Sequence, residues 1–577
     1  MLHLLVEYAR KNLPVEPGFA PKTARWAIVF DSEGSFLEVM ELGDTSQKRN
    51  PGQTFSKAPE LSFSEMKAGG ETKSHFFIET AAVVALLLKG NEEEKDLVKL
   101  RAKHGYFVNL LRQASKVMPE LGPLAATLDN AASLEAIASK LKEKRAKTTD
   151  KVTLAILGGN PMRLVESDRW HDWWREFRAK LNAPDPEARK SSNESDEQPM
   201  RCFITGDLAP PMKVHPKIAG LSDVGGIASG DVFASFKQDA FCSYGFEQGA
   251  NAAVSEESAY AYRAALNHLI KDHGQRLAGA KVVHWFKTKV KSGDDLLPWL
   301  SAPPERQELS AQQQAKELLE AIKAGRRPDL ADNHFYAVTL SGAAGRVMVR
   351  DWMEGQFADL VENIKEWFEN LAIVRRDGKG LAHDPKFMAV LGSLVRDLDN
   401  LPAPFVAKMW RVAIGGERIP QQALAQAFMR ARVDVMQNDP ANHARMGLIK
   451  AYHIRKEGGV PMSPYLNEDH PNPAYHCGRL MAVLADVQYA ALGDVGAGVV
   501  QRFYAAASST PALVLGRLTR TSQFHLNKLD PGLARWFENR IASIWGRIKD
   551  QIPKTLSLED QSLFALGYYQ QMAAKKA

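Results

Sequence analysis

Two short loops near the N-terminus place cationic and amide side chains beside small residues. Lys48, Arg49, Asn50 and Gln53 sit in one, and Gly69, Gly70, Thr72, Lys73, Ser74 and His75 in the other. Glycine lets a backbone approach a ligand closely. Lys, Arg, Asn and Gln supply donors that suit phosphates and base edges. An ordinary surface loop has the same composition, so these residues name a chemistry, polyanion binding, without establishing it. Other constellations are weaker. Gly220–Gly230 lacks the Gly-Lys-Ser/Thr ending of a phosphate-binding P-loop. His215, His284 and Cys202 lack the spacings that zinc sites use and read as structural residues. There is no GxSxG elbow, no HExxH and no run of carboxylates along one helical face. A non-catalytic, polyanion-binding protein without metal or cofactor is the reading that results. The alternative is a metal-dependent nuclease with dispersed active-site residues, because such residues need not be neighbours in sequence.

The elements that must position these loops belong to a chain of 577 residues, too long for one ordinary core. Its 45% apolar and 25% charged content is globular and excludes wholesale disorder and fibrous classes. The longest apolar run, Ala81 to Leu88, is far short of the ~20 residues a bilayer requires. The N-terminus has no cleavable-leader pattern, and three cysteines without CxxC spacing suit a reducing compartment. A cytoplasmic protein with no membrane association is expected. Net charge is +6, but residues 381–577 hold 23 Lys+Arg against 16 Asp+Glu, with 14 arginines among the 23. Arginine binds phosphate bidentately, so this bias fits a polyanion partner; a solvated helical surface accounts for it equally well.

The pattern reads as α+β: a mixed N-terminal body over 1–380 with short sheets and helical insertions, then a C-terminal helical bundle over 381–577. Residues 25–30 and 36–40 form a hairpin around the turn Asp31–Gly34. Residues 92–145 are helical, 151–157 a strand, and 167–180 a helix with three tryptophans. Residues 182–200, polar and proline-bounded, form an exposed linker. Clear helical runs are expected at 256–272, 347–371, 386–398, 421–436, 478–492, 499–507 and 534–550.

A longer set of residues is distinctive in combination. Cys202-Phe203-Ile204-Thr205-Gly206 and His215-Pro216-Lys217-Ile218 are followed by Ser235-Phe236, Ser243-Tyr244-Gly245, Gln248-Gly249, Asn251-Ala252 and Val254-Ser255-Glu256-Glu257. Trp26-Ala27-Ile28 with Lys73 and Phe76-Phe77-Ile78-Glu79 precede them, and Phe335-Tyr336, Gly345-Arg346 and Trp352 follow. Asn472-Pro473-Ala474-Tyr475-His476-Cys477-Gly478-Arg479-Leu480, Thr510-Pro511 and His525-Leu526 close the series. In this order, over essentially the whole chain, the sequence resembles the large subunit of the type I-C CRISPR interference complex, the Csd-type Cascade large subunit.

The resemblance implies a non-enzymatic role in RNA-guided antiviral defence. Such a subunit recognises the short PAM in target double-stranded DNA and promotes the R-loop. It sits in a ribonucleoprotein of crRNA, Cascade backbone subunits and a crRNA-handle-binding subunit, and recruits a helicase-nuclease. Base pairing then reads the sequence, while protein loops read only a short duplex element. The resemblance points to Gly69–His75 as the PAM reader, with Lys48, Arg49, Asn50 and Gln53 next. Lys237, Ser243, Tyr244, Gln248 and Asn251 are nucleic-acid or subunit contacts. Arg479, Arg502, Arg517, Arg520 and Lys528 are contacts for the displaced strand. The sequence departs from the family where a common Lys-Pro-Asn stands as Lys73-Ser74-His75 and where Ser-Phe-Asn ends in Lys237. Members of this family also make their C-terminal bundle separately, as a small subunit. Met462 is the internal start this implies, giving 462–577, because Lys456-Glu457-Gly458 can encode a ribosome-binding sequence.

Overall fold

The computed structural model describes residues 1–46, 50–158, 160–182, 199–236, 238–301, 311–437 and 441–574. The segment 183–198, most of the expected linker, therefore lies outside the described residues, as do Lys48, Arg49 and Lys237. The architecture is α+β, with short sheets before Phe357 and, among the described residues, no strand longer than an isolated bridge after Gln356. The chain divides into two compact units, residues 1–218 with 231–268 and residues 219–230 with 269–577.

The first unit is organised around the strand Trp26–Phe30, whose five residues are all buried. A continuous apolar strand belongs at the centre of a sheet covered on both faces. It pairs antiparallel with Phe36–Glu41 and parallel with Lys151–Gly158, which also carries Glu79–Thr80 and Asn160–Arg163. A separate ribbon joins Phe19–Ala24 to Gln53–Pro59. The helices Glu94–Ala114, Leu121–Asp129 and Ala131–Glu143 fill the span expected to be helical, and their apolar faces join the same core. The tryptophan helix, His171–Leu181, turns Trp170, Trp174 and Arg178 inward; that spacing of four is one stripe of a helix.

The second unit contains an antiparallel sheet in the order Arg346–Gln356, His334–Ala343, Ala280–Phe286, Gln275–Leu277. The helical reading of 347–371 is corrected here: the helix is Phe357–Leu371, and the residues before it form a strand. Arg346–Gln356 pairs with His334–Ala343 from end to end apart from a bulge at Arg350, and cross-strand pairing decides the element there. The helices Gln421–Met436 and Val499–Ala507 stand where the sequence puts them.

The last bundle depends on one close crossing. The helices Pro473–Leu492 and Leu558–Ala574 meet at Gly478 and Gly567. A Cβ on Gly478 would stand 1.9 Å from the Phe564 carbonyl oxygen, and one on Gly567 2.1 Å from that of Tyr475. Only glycine allows these backbones to touch. Gly478→Val should lower the stability of this unit by about 3 kcal/mol or unfold it, since overpacking that backbone must absorb is costly. Gly516→Ala, on an exposed helical position with nothing within 4 Å, should raise stability by up to about 1 kcal/mol. Denaturant unfolding followed by circular dichroism measures both.

Candidate nucleic-acid interface

The 69–75 loop is held from both ends. It is preceded by the helix Phe63–Lys67, which begins in a capping box: Glu65 N–H donates to Ser62 Oγ at 3.2 Å, and Ser62 N–H donates to Glu65 Oε2 at 2.6 Å. Glu65 is buried, and its other oxygen accepts from Asn182 Nδ2 and faces Arg178 Nη2, each at 2.8 Å. Arg178 in turn pairs with Glu256 at 2.7 Å. Behind the loop, Phe76 and Phe77 are fully buried, their rings 3.9 Å apart. Phe76 packs on Trp170, Trp173 and Trp174, and Phe77 on Trp170. Phe77 adopts φ 55°, a left-handed conformation that an aromatic residue takes only where its surroundings fix it.

Within the loop the residues separate by role. Ala68–Gly70 forms a single 3₁₀ turn, with Gly70 at φ 70° facing open space. Thr72 is half-buried. Lys73 is buried: its ammonium donates to the Ala68 carbonyl and lies 5.8 Å from the Tyr106 ring centroid. It braces the turn that precedes it. Burial, with Glu71 and Glu65 nearby, pushes the Tyr106 hydroxyl up to about 12. Ser74 is fully buried with no partner for its hydroxyl among the described residues. His75 donates its backbone N–H to Glu79 Oε2 at 3.1 Å, while its buried Nδ1 has no partner. Burial holds the imidazole well below its ordinary range, and the cations of Lys22, Lys151 and Lys103 add to the effect. His75 is therefore neutral at pH 7, able to offer one donor and one acceptor.

Those three lysines come from three different elements, and no sequence spacing links them. Lys22, from the strand Phe19–Ala24, is itself buried, donates to the Pro59 carbonyl at 2.8 Å, and is lowered to about 8 by desolvation. The fold brings positive charge to His75 from residues that a sequence scan has no reason to group.

The first loop is different. Asn50 is buried; its Nδ2 donates to the Leu42 carbonyl at 2.7 Å and its Oδ1 accepts from Gly52 N–H at 2.9 Å. It clips its own loop closed. Gln53 donates to Glu166 Oε1 at 3.1 Å. In the 243–251 segment, Asn251 is again a clamp, accepting from Ser243 N–H and donating to the Phe246 and Gln248 carbonyls. It holds Tyr244 almost entirely in solvent, 97% exposed at φ 54°. Gln248 is also left-handed, at φ 46°.

Of the C-terminal cations, Arg479 is buried, bonded to Gln571, His476 and the backbone and side chain of Glu468. Its guanidinium is committed inside the bundle. Arg502, Arg517, Arg520 and Lys528 are exposed. Arg517 and Arg520 share a stripe of the helix Pro511–Leu526 with exposed Leu513 and Phe524. His284 pairs with Asp295 at 2.7 Å and His215 bonds Tyr262 at 2.8 Å, as structural residues do. Among the described residues no group of three or more His, Cys, Asp or Glu side chains is placed to hold a metal. Nor is any helix long and apolar enough to cross a membrane.

A family model described as CRISPR-associated protein (Cas_Csd1) matches residues 5–575. Comparison with curated proteins gives no match.

Burial of the histidines sets a pH dependence. His215, His453 and His470 are lowered to about 4 by desolvation, and His75 lies well below its ordinary value. The unfolded chain takes up these protons near pH 6.5 and the folded chain only further down. This contribution to stability is complete above about pH 6.5 and is lost as pH falls toward 4. Tm should decline between pH 6.5 and 5, before most carboxylates titrate, and His75→Gln should make the decline shallower. A Tm independent of pH over that interval would contradict the assignment.

Proposed function

The chain belongs to the CRISPR-associated Csd1 family, and is thereby a Cascade subunit; we propose that it reads the PAM of target double-stranded DNA and supports the R-loop. The observation that carries this reading is the 69–75 loop, anchored by aromatic packing and carrying a neutral imidazole at its edge, with lysines from three elements around it. Sequence-selective readout requires donors and acceptors held at fixed positions against base edges. Phosphate contacts fix position but carry no letters. His75, Thr72 and the open backbone of Gly70 suit the first task, and Lys103 and Lys151, which are not buried, the second.

Opening the duplex costs about 1–2 kcal/mol for each base-pair step unstacked, so the reading loop must act together with surfaces that hold the separated strands. Arg502, Arg517, Arg520 and Lys528 are exposed cations, and Phe524 beside them offers a ring on which a base can stack. Tyr244 and its clamped loop serve as a contact to nucleic acid or to a neighbouring subunit. In this reading crRNA, the backbone subunits and the handle-binding subunit are the assembly partners. A recruited helicase-nuclease performs the cleavage, and this chain contributes no catalytic residue.

A separately translated C-terminal product starting at Met462 belongs to the same reading. It would keep the core formed by Leu480, Leu484, Leu515, Phe537, Ile544 and Phe564. It would uncover Tyr475, Leu566 and Tyr569, which in the full chain join the other hydrophobic cluster of the second unit. Such a product should associate through that face rather than stay monomeric. Replacing Met462 by Leu should remove a short product seen on immunoblots of the C-terminus and leave the full chain.

The reading is tested with the crRNA complex and a matched duplex carrying a randomised PAM. Wild type should select a short motif, and Thr72→Ala/His75→Ala should lose at least tenfold in selectivity while assembling normally. Selection that survives in the double variant would move the reader away from this loop. No selection in wild type would end the PAM-reading proposal.

A further inference from the structure

A second cationic feature of the first unit lies beyond the short helix Ala81–Ala85 that follows the reading loop. There residues 87–89 face residues 142–149 across a hollow of about 350 Å³. Lys89, Lys142 and Lys147 line it together with Thr148 and Thr149, and no acidic side chain does. Among the described residues these three lysines make no salt bridge, whereas Lys140, two residues before Lys142, pairs with Glu143.

The walls are set before any ligand arrives. Ala81 N–H donates to the Asp150 carbonyl and Ala82 N–H to that of Thr148, at 2.8 and 3.0 Å. Lys147 N–H donates to Asp150 Oδ2 at 3.0 Å, and Glu92 accepts from the N–H groups of Lys89 and Gly90. The helix Ala131–Glu143 ends in a turn where Arg145 N–H donates to Lys142 O and Ala146 N–H to Leu141 O. The left-handed residue of such a turn is ordinarily glycine. Here it is Arg145, at φ 59°. An arginine is thus placed, against local conformational preference, between two lining residues of the hollow.

Complementing the helix dipole accounts for cations in the last turn of a helix. It covers Lys142 but not Lys89, which belongs to the facing wall, nor Lys147, which lies past the helix, nor an arginine in a left-handed position. We propose that this hollow is a phosphodiester site that grips the backbone of the target duplex. The identity of the duplex rests on the PAM-reading proposal; the anion chemistry does not.

The test compares wild-type crRNA complex with Lys89→Gln/Lys142→Gln/Lys147→Gln in duplex binding over a salt series. Each lost phosphate contact makes the slope of log K against log salt shallower by about 0.9, so the triple variant should lose about 2 to 3 of that slope and at least tenfold in affinity. The PAM letters selected should not change. Arg145→Gly should weaken duplex binding while raising Tm, a pairing that a merely structural arginine does not give. Unchanged slope and affinity with PAM selection intact would overturn the hollow and leave the reading loop standing. A shallower slope in a complex that selects no PAM would uphold the hollow and remove the reading. Reduced crRNA loading by the purified variant chain, with duplex binding unchanged once loaded, would keep the phosphate chemistry but make the guide its source. Loss of assembly with nucleic-acid binding intact would make the surface a protein contact and overturn the proposal.

Discussion

Arg178 is the constraint on which the first unit's functional surface depends. Its side chain is buried between two carboxylates, Glu65 and Glu256, and Glu65 is itself 1% exposed. A buried carboxylate without its cation is strongly destabilising, by about 3–5 kcal/mol. Pairing therefore fixes where both must be. Glu65 fixes the start of the helix that leads into the 69–75 loop, through the capping box and Asn182. The stem of Arg178 fills the space beside Gly18, where a Cβ would stand 2.4 Å from Nη1, and Trp174 donates to the Gly18 carbonyl at 2.8 Å. One guanidinium thus ties together the turn before the first strand, the tryptophan helix and the base of the loop. Trp170 and Trp174, on the same stripe of helix, hold Phe76 and Phe77.

The second unit relies on a different device. There the closest helix crossing uses the absence of side chains at Gly478 and Gly567, and polar groups are enclosed around it. Tyr475 Oη bonds Gln570 at 2.5 Å, and Arg479 bonds Gln571 at 3.1 Å. These contacts join the same two helices that the glycines bring together. A buried arginine here sets register, and exposed arginines on the neighbouring helix Pro511–Leu526 remain for other contacts.

Residue type was legible in the sequence; burial was not. The helices 421–436 and 499–507 could be read from the helical spacing of their apolar residues, and the strand Trp26–Phe30 from a short β-branched and aromatic run closed by a turn. The strand Arg346–Gln356 could not, since its place is decided by a partner strand and its own pattern of Arg, Asp and Glu suits either element. The same limit applies to the site. Asn50, Lys73 and Arg479 have the side chains of nucleic-acid ligands, but each is bonded within the fold, for reasons that lie in residues distant from it or on another turn. Conversely, the charges of Lys22, Lys103 and Lys151 act on His75 only because a strand, a helix and a second strand converge near it. The order of motifs along the chain identified the family where single residues did not, because a series of spacings survives even when each member serves structure.

That Lys73 is a brace changes what the loop has to offer in the proposed PAM-reading role. Had it been the reading side chain, the contact would have been a cation on a guanine edge or a phosphate. With its ammonium on the Ala68 carbonyl, the loop offers no free cation of its own: beside the exposed Glu71 carboxylate it presents the Gly70 backbone, the Thr72 hydroxyl and a histidine kept neutral by burial and by three cations. Neutral donors and acceptors bind weakly in water, but they discriminate, because a mismatched edge leaves a polar group unpaired. Charge does the reverse, adding affinity that every sequence shares. In the proposed role, a surface that samples many duplexes and dwells on few is served by keeping the two apart, with Lys103 and Lys151 beside the loop and neutral donors and acceptors at Gly70, Thr72 and His75.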